Sequence, residues 1–310
     1  MTASTTRLAR SASYRAWLLS PEPASRAQAA LGQAYRRWRR LVSNPLSLCG
    51  LVVLALLVLV ALIGPLLPMP DPTIQVLADR LLPPGSPGHW LGTDQLGRDI
   101  LSRLVHGARL TLAIAVLVVV VVVPIGMLIG TAAGFFGGWV DRVLMRVTDI
   151  ALAFPKIVLA LALAAALGPG VFNAVIAISI TAWPAYARLA RAETLRWTQA
   201  DFIHAARMQG ASRLRLLTRY IMPLCASSVI VRATLDMAGI ILSVAGLGFL
   251  GLGAQPPSPE WGYMVASGRN VLLDAWWVST LPGLAILAVS LAFNLLGDGL
   301  RDAFDPRHGD

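Results

Sequence analysis

Charged residues are scarce in this sequence of 310 residues, at 14% of the total, whereas soluble domains carry about 25%. Lysine is almost absent, because Lys156 is the only one among 26 basic residues. The two cysteines, Cys49 and Cys225, support no disulfide framework, and the four histidines lack the spacing of metal ligands. The sequence also shows no P-loop and no catalytic triad. A soluble cytosolic enzyme is therefore excluded, and we expect no catalytic residue, metal or cofactor in this chain.

Long apolar runs are abundant instead. Hydrophobic residues make up 56% of the chain, and the mean hydropathy is +0.67. A helix needs about 20 apolar residues to cross a bilayer, and backbone groups in lipid must pair within the segment. We therefore predict an all-α polytopic membrane protein with six transmembrane helices. The six predicted spans are Leu46–Leu67, Leu110–Ala133, Val147–Leu167, Val171–Ala187, Pro223–Leu250 and Leu281–Gly299.

The arginines predict the orientation of these spans. Basic loops stay on the cytoplasmic side, and the two most basic stretches precede span one and follow span four. Both termini are therefore predicted to be cytoplasmic. The inner segments then hold 19 basic and seven acidic residues, a net charge of +12, and the outer segments carry −1. Because the overall +10 follows membrane topology, it predicts contact with membrane lipid and not with nucleic acid. Within the N-terminal stretch, Arg26–Val42 predicts an amphipathic helix on the inner membrane face.

One glycine pattern resembles a nucleotide site. Gly246, Gly248 and Gly251 match the spacing G-x-G-x-x-G, but that motif requires a preceding strand and a helix that opens after it. Here the glycines end a predicted span. We interpret them as positions of close helix packing or bending.

The cytoplasmic segment between spans four and five predicts two short helices. The first runs from about Ala200 to Met208 and ends at Gly210. Ser212 caps the second, which leads toward Pro223. Their basic surface suits docking into a cleft on another protein, and the alternative is a solvated amphipathic loop beside anionic lipid.

Five sequence blocks resemble one family of membrane transporters. The spacing from Ala205 and Ala206 through Gly210 to Pro223 resembles the coupling loop of importer-type ABC permeases. Four further blocks resemble the second permease subunit of dipeptide, oligopeptide and nickel importers. These blocks begin at Leu91, Asp149, Phe249 and Asn294, and the resemblance covers residues 36–307.

The resemblance implies a type I ABC importer permease fold and a non-enzymatic role in peptide import across the bacterial cytoplasmic (inner) membrane. ATP and Mg²⁺ would be bound by one or two separate ATP-binding subunits. The other implied partners are a homologous second permease, which forms a heterodimer with this chain, and an extracytoplasmic solute-binding protein. The predicted organisation is a cytoplasmic tail (1–45), a first transmembrane helix (46–67), an outer loop (68–108), a five-helix core (109–300) with a coupling loop (192–220), and a cytoplasmic tail (301–310).

The resemblance also assigns two sets of site residues. The coupling set is Asp201, His204, Ala205, Ala206, Gly210, Arg213 and Arg215. The family usually has Glu where this chain has His204, so a negative charge is lost there at pH 7. The outer-face set is Gly92, Asp94, Gly97, Arg98 and Asp99. We expect the outer loop to cap the outer mouth where the binding protein lands, and Glu260 and Trp261 to join that surface.

Charges within the predicted spans form a further candidate site. Arg232 and Asp236 are four residues apart in span five and therefore share one helix face. A charge at this depth costs about 2.5–3.5 kcal/mol on insertion scales, so both should be paired and face protein or water. Two interpretations stay open: a wall of the translocation path, or a salt bridge that fixes the bundle. Near the cytoplasmic side, Asp149 is predicted to pair with Arg146.

Other substrates and one other class of transporter remain as alternatives. Nickel, metal-chelate or glutathione import fits the same blocks, because the binding protein selects the substrate. An ion-coupled secondary carrier predicts inverted repeats with broken helices at midplane. The sequence shows neither repeats nor a carboxylate ion site.

Overall fold

The computed structural model describes residues 17–20 and 23–304, and this part of the chain consists of helices and loops without a strand. Predictions for residues 1–16, 21–22 and 305–310, which belong to the two tails predicted to be cytoplasmic, lie outside it. Ten principal helices are used below. They are α1 (Arg26–Ser43), α2 (Pro45–Ile63), α3 (Ile100–Phe136), α4 (Gly138–Ala153), α5 (Lys156–Leu167), α6 (Val171–Thr198), α7 (Asp201–Met208), α8 (Met222–Phe249), α9 (Trp261–Gly268) and α10 (Trp277–Phe304).

Four helical segments in the described residues are long and apolar enough to cross a membrane. They are Pro45–Leu66, Ile100–Phe136, Arg213–Phe249 and Trp277–Phe304, and they contain or nearly coincide with predicted spans one, two, five and six. Helices α4 and α5 together supply a fifth candidate. Helix α6 has the length of a span, with 28 residues, but is not among the candidates. The count of six therefore stays a prediction.

The third predicted span is not one straight helix. We predicted a continuous helix over Val147–Leu167, but α4 ends at Ala153, α5 begins at Lys156, and their axes differ by 88°. The cause is Pro155, which has no N–H to donate and which favours an extended conformation at Phe154. Helix α4 therefore runs almost perpendicular to α5, with apolar side chains such as Trp139 and Ile150 exposed.

Helices α3 and α6 form the centre of the bundle because small residues let their backbones approach closely. Gly126, Gly130 and Gly134 repeat every fourth residue on α3 and face α6. A Cβ atom at Gly130 would lie 2.8 Å from the Cβ of Ala190, closer than two carbon atoms pack. Helix α8 packs against both helices and extends the apolar core toward α10.

The N-terminal helices form the edge of the bundle. Helix α2 packs on α10, where Gly50 adjoins the backbone of Ala292. Ser25 caps α1 by accepting a hydrogen bond from the N–H of Gln28, and the Arg37 guanidinium lies 4.5 Å from the centre of the Phe304 ring. A helix over Arg26–Val42 is thus confirmed by the structure, while its place on the inner membrane face stays a prediction.

Candidate functional sites

The outer-face motif forms a buried cluster held together by Asp94. One carboxylate oxygen of Asp94 accepts hydrogen bonds from the backbone N–H groups of Leu96 and Arg98, at 2.9 and 3.0 Å. The other accepts one from Nε of Arg98 at 2.7 Å. The Arg98 side chain is only 4% exposed, so the ion pair is shielded from water. Gly97 has a φ of +71°, which favours glycine, and its Cα faces the backbone of Val76.

Asp99 connects this cluster to the bundle. Its side chain caps α3 by accepting a hydrogen bond from the N–H of Ser102 at 2.7 Å. It also contacts Nδ1 of His89 at 3.0 Å. Gly92 has a φ of +76° and packs against the backbone of Leu82. All five outer-face residues predicted from the sequence are therefore close together, and their contacts stabilise the loop around the start of α3.

Further hydrogen bonds join the outer loop to α9 and α10. Nε1 of Trp277 donates to the carbonyl of Thr93 at 3.2 Å, and Nε2 of Gln95 donates to the carbonyl of Ser267 at 2.7 Å. Arg103 is 1% exposed, and its Nη1 donates to the carbonyl of Pro72 at 2.8 Å. The predicted loop is thus a folded cap fastened to three helices, α3, α9 and α10.

Glu260 and Trp261 do not join the exposed surface, and that prediction is wrong. Glu260 is fully buried and caps α9 by accepting hydrogen bonds from the N–H groups of Gly262 and Tyr263. Trp261 is 2% exposed and donates from Nε1 to the carbonyl of Leu104 at 3.0 Å. Burial raises the pKa of Glu260 above its ordinary value, although the two hydrogen bonds oppose the shift. Both residues stabilise the junction between α3 and α9.

The predicted coupling loop (192–220) contains the expected short helix, α7, whose two faces differ. Ile203 and Ala206 are buried in a small apolar cluster with Leu216 and Ile221, so α7 is anchored to its own chain. The opposite face exposes Asp201, His204 and Ala205, while Arg213, Arg215 and Gly210 are exposed beyond the helix. The chain turns at Gly210, where φ is +83°. Of the seven predicted coupling residues, six are therefore accessible and Ala206 is not.

The second predicted short helix is the first part of a longer helical segment that continues into α8. Ser212 caps it by accepting a hydrogen bond from the N–H of Arg215 at 3.3 Å, as expected. The helix then continues through Leu216–Ile221 as a π-helical turn, in which the N–H of Met222 donates to the carbonyl of Leu217. This wider turn accommodates Pro223 without ending the helix. The result is one helical segment over Arg213–Phe249, with no break at Pro223.

The intramembrane pair predicted in span five is present. Nε of Arg232 lies 3.0 Å from Oδ2 of Asp236, with side-chain exposures of 48% and 22%. Lys156, at the start of α5, interacts electrostatically with both residues. Tyr186 of α6 lies close enough to interact with Asp236 as well, and its ring is buried. Sequence reasoning did not connect Lys156 or Tyr186 with this pair.

A cavity of about 870 Å³ adjoins this group of charges, and its walls come from α5, α8, α9 and α10. Lys156 lies at its edge, and Gly239 is one helical turn beyond Asp236. Three wall glycines, Gly239, Gly246 and Gly283, have no other atom within 4 Å of the position of an added Cβ. Of the two interpretations of these glycines, close packing is therefore wrong for Gly246, which faces open space, and bending stays a prediction there. Gly248 does pack closely, against Glu260.

Helix α4 is attached to α6 by two ion pairs. Asp141 and Arg191 form a bidentate pair, at 2.5 Å from Nε to Oδ1 and 2.6 Å from Nη2 to Oδ2. Asp149 pairs with Arg188 at 2.8 Å. The prediction that Asp149 pairs with Arg146 is wrong, because the 88° bend brings α4 alongside the C-terminal half of α6.

Comparison with known proteins agrees with these features. The family described as "Binding-protein-dependent transport system inner membrane component" matches residues 123–309, and "N-terminal TM domain of oligopeptide transport permease C" matches residues 32–84. Three curated relatives each align with 87% of this chain. They are the di/tripeptide transport system permease protein DppC of Pseudomonas aeruginosa (48% identity, 91% of its length), the probable D,D-dipeptide transport system permease protein DdpC of Escherichia coli (46%, 90%) and the glutathione transport system permease protein GsiD of Pectobacterium atrosepticum (42%, 90%).

A solved structure shares the fold. A chain of the MetNI methionine ABC transporter, in inward-facing conformations, superposes with a TM-score of 0.55 at 18% identity, over 66% of this chain and 98% of that one. The bundle around α3, α6 and α8 is thus an ABC importer permease fold, which defines the protein as a membrane transport subunit. The chain belongs to the family of inner membrane components of binding-protein-dependent transport systems. A secondary carrier would also predict a broken helix, but the break between α4 and α5 occurs here in a chain of this permease family.

Proposed function

We propose that this chain is one of two homologous transmembrane subunits of an ATP-driven importer of dipeptides and short oligopeptides. The observation that carries the substrate class is the 42–48% identity to permeases named for dipeptide or di/tripeptide transport. In this proposal α6 crosses the membrane as well, which makes six spans with both termini cytoplasmic. The partner permease forms a heterodimer with this chain.

The coupling surface of this importer is the exposed side of α7 and the turn that follows it. Met208 is 90% exposed and Leu214 is 67% exposed, in a loop that arginines otherwise make strongly polar. Exposed apolar side chains of this size are typical of a protein interface. A separate ATPase subunit that holds ATP and Mg²⁺ covers them, and α7 passes its movement to α6 and α8. His204 lies on the same side and contacts the ATPase in place of a carboxylate.

The solute-binding protein docks on the folded outer cap. Its central residues are buried, so the contacts come from exposed side chains around them, such as Trp90 and Leu77. Arg232 and Asp236 line the translocation path, since both are accessible and adjoin the cavity. Their ion pair keeps the cost of two charges in the membrane low.

Glutathione import is the second candidate, because relatives named for glutathione transport are 42–44% identical to this chain. Nickel or metal-chelate import stays an alternative that the uptake experiment tests, because the binding protein selects the substrate.

The test is uptake by the complete transporter. The two permeases, the ATPases and the cognate binding protein are reconstituted in proteoliposomes, and ATP-dependent uptake of radiolabelled dialanine, glutathione and nickel is measured. We expect dialanine uptake that requires ATP and the binding protein. Uptake of glutathione or nickel alone would contradict the peptide assignment, and uptake without ATPase subunits would contradict the importer class.

A further inference from the structure

The single lysine of this protein lies where a cation is unfavourable without a partner. Lys156 is the first residue of α5, directly after the bend at Pro155, and its side chain is exposed at the edge of the cavity. It forms no hydrogen bond and no ion pair within 4 Å with any residue in the described ranges. A charge in a membrane-spanning region should be paired. Among the described residues only Asp236 attracts it, from beyond ion-pair distance, so Lys156 has room for a further counter-ion from outside this chain.

Asp236 is close to Lys156, but it is already engaged. Its carboxylate is bound by Nε of Arg232 at 3.0 Å. The two Nη nitrogens of Arg232 have no hydrogen-bond partner in the part of the chain that the structure describes. Lys156, Arg232 and Asp236 together carry a net charge of +1, with unused donors on both cations. The group can accept one further negative charge.

Two more features favour an anion at this place. The N-terminus of α5 has no side-chain cap, and the free N–H groups of a helix start attract negative charge. The hydroxyl of Tyr186 is buried beside Asp236, which attracts it, but it forms no hydrogen bond of normal geometry with any described residue. A buried hydroxyl without a well-formed hydrogen bond is unfavourable, so it can donate to a further acceptor. A ligand oxygen that approaches Lys156 and Arg232 would therefore meet hydrogen-bond donors from three helices, α5, α6 and α8.

The walls of the cavity beside these charges determine what kind of anion fits. The cavity of about 870 Å³ falls in the range of sites for small organic ligands. Apart from Lys156 and Ser243, its lining residues are apolar, and Gly239, Gly246 and Gly283 leave the helix backbones uncovered. Apolar walls of this kind discriminate little between ligands that differ in their side chains. A ligand that varies in its side chains but always carries one carboxylate matches this combination.

We propose that Lys156, with the free nitrogens of Arg232, binds the C-terminal carboxylate of the peptide in the translocation cavity. This inference rests on the proposed function, because it names how that cavity holds its substrate. The carboxylate is present in every unmodified peptide, so one charge contact serves all sequences. Asp236 then holds Arg232 in place and limits the excess charge to +1.

The experiment measures peptide binding to the assembled complex without the binding protein, so that the selectivity of the latter does not enter. Radiolabelled dialanine is bound to the purified complex of both permeases and the ATPases. Unlabelled dialanine and dialaninamide, which lacks the carboxylate, are the competitors. We expect dialanine to compete about tenfold or more better than the amide, the effect of one charged hydrogen bond. Lys156→Gln should remove this preference, and Lys156→Arg should keep it.

Arg146→Gln is the matched control, since it removes one exposed cation from α4 away from the cavity. It should leave the preference for the free acid unchanged. Equal competition by acid and amide in the unmodified complex overturns the inference, as does a preference that survives in Lys156→Gln. Dissociation of the permease pair in Lys156→Gln also overturns it, because the counter-ion is then a carboxylate of the partner subunit. If the complex imports dialanine but does not bind it measurably, only this inference is overturned. If the unmodified transporter does not import dialanine at all, the proposed function itself is refuted.

Discussion

Substitution of Gly130 by alanine tests the close contact between α3 and α6. The new Cβ would lie 2.8 Å from the Cβ of Ala190 and 2.9 Å from the carbonyl carbon of Ala187. Because the latter is backbone, the helices must separate, and overpacking of this kind costs about 1–3 kcal/mol. The higher helix propensity of alanine returns up to about 1 kcal/mol. With the full propensity gain subtracted, we expect Gly130→Ala to lower the free energy of unfolding by up to about 2 kcal/mol.

The matched control is Gly239→Ala in α8, where an added Cβ has no other atom within 4 Å. This variant keeps the gain in helix propensity without the clash, so its stability should equal or slightly exceed that of the unmodified protein. Thermal unfolding in detergent measures both, and about 2–4 °C of Tm corresponds to 1 kcal/mol for a domain of 150–250 residues. If Gly130→Ala melts no lower than Gly239→Ala, the α3–α6 contact is not as close as the structure indicates and the reasoning fails.

Three further changes test other parts of the structure. Asp141→Asn should cost about 0.5–1 kcal/mol in thermal unfolding, because its bidentate pair with Arg191 is partly exposed. A double-mutant cycle with Arg191→Gln isolates this energy, and a coupling of zero would show that the pair does not attach α4 to α6. Met208→Glu should weaken copurification of the ATPase subunits about tenfold or more without changing Tm, since Met208 is 90% exposed; unchanged copurification would place the interface elsewhere. Glu260→Gln tests the raised pKa of Glu260, whose ordinary value is 4.5. The folded protein binds this proton more tightly than the unfolded one, so the stability of the unmodified protein relative to Glu260→Gln should fall as pH rises above 4.5, and melting curves of both between pH 4.5 and 8 should diverge in that direction.

Much of the candidate sites could be predicted because their residues are close in sequence. The Asp94–Arg98 pair and the Arg232–Asp236 pair join residues four apart, and spacing alone places such residues side by side. Helix α7 was predicted from the sequence, and the turn at Gly210 follows from the preference of glycine for positive φ. The sequence reasoning failed at Glu260, since a carboxylate in a loop is usually exposed and only its cap of α9 explains its burial.

The sequence by itself determined the membrane character of this protein, the approximate places of its apolar segments and the side on which its arginines should lie. These properties depend on the hydropathy and the flanking charges of each segment, which determine how that segment inserts into the bilayer. The tertiary structure alone decided the contacts between residues that are distant along the chain. Pro155 was visible in the sequence, but only the 88° bend there brings Asp149 to Arg188. In the same way, Lys156 and Asp236 are 80 residues apart, and only the packing of α5 beside α8 places the one lysine next to the intramembrane ion pair.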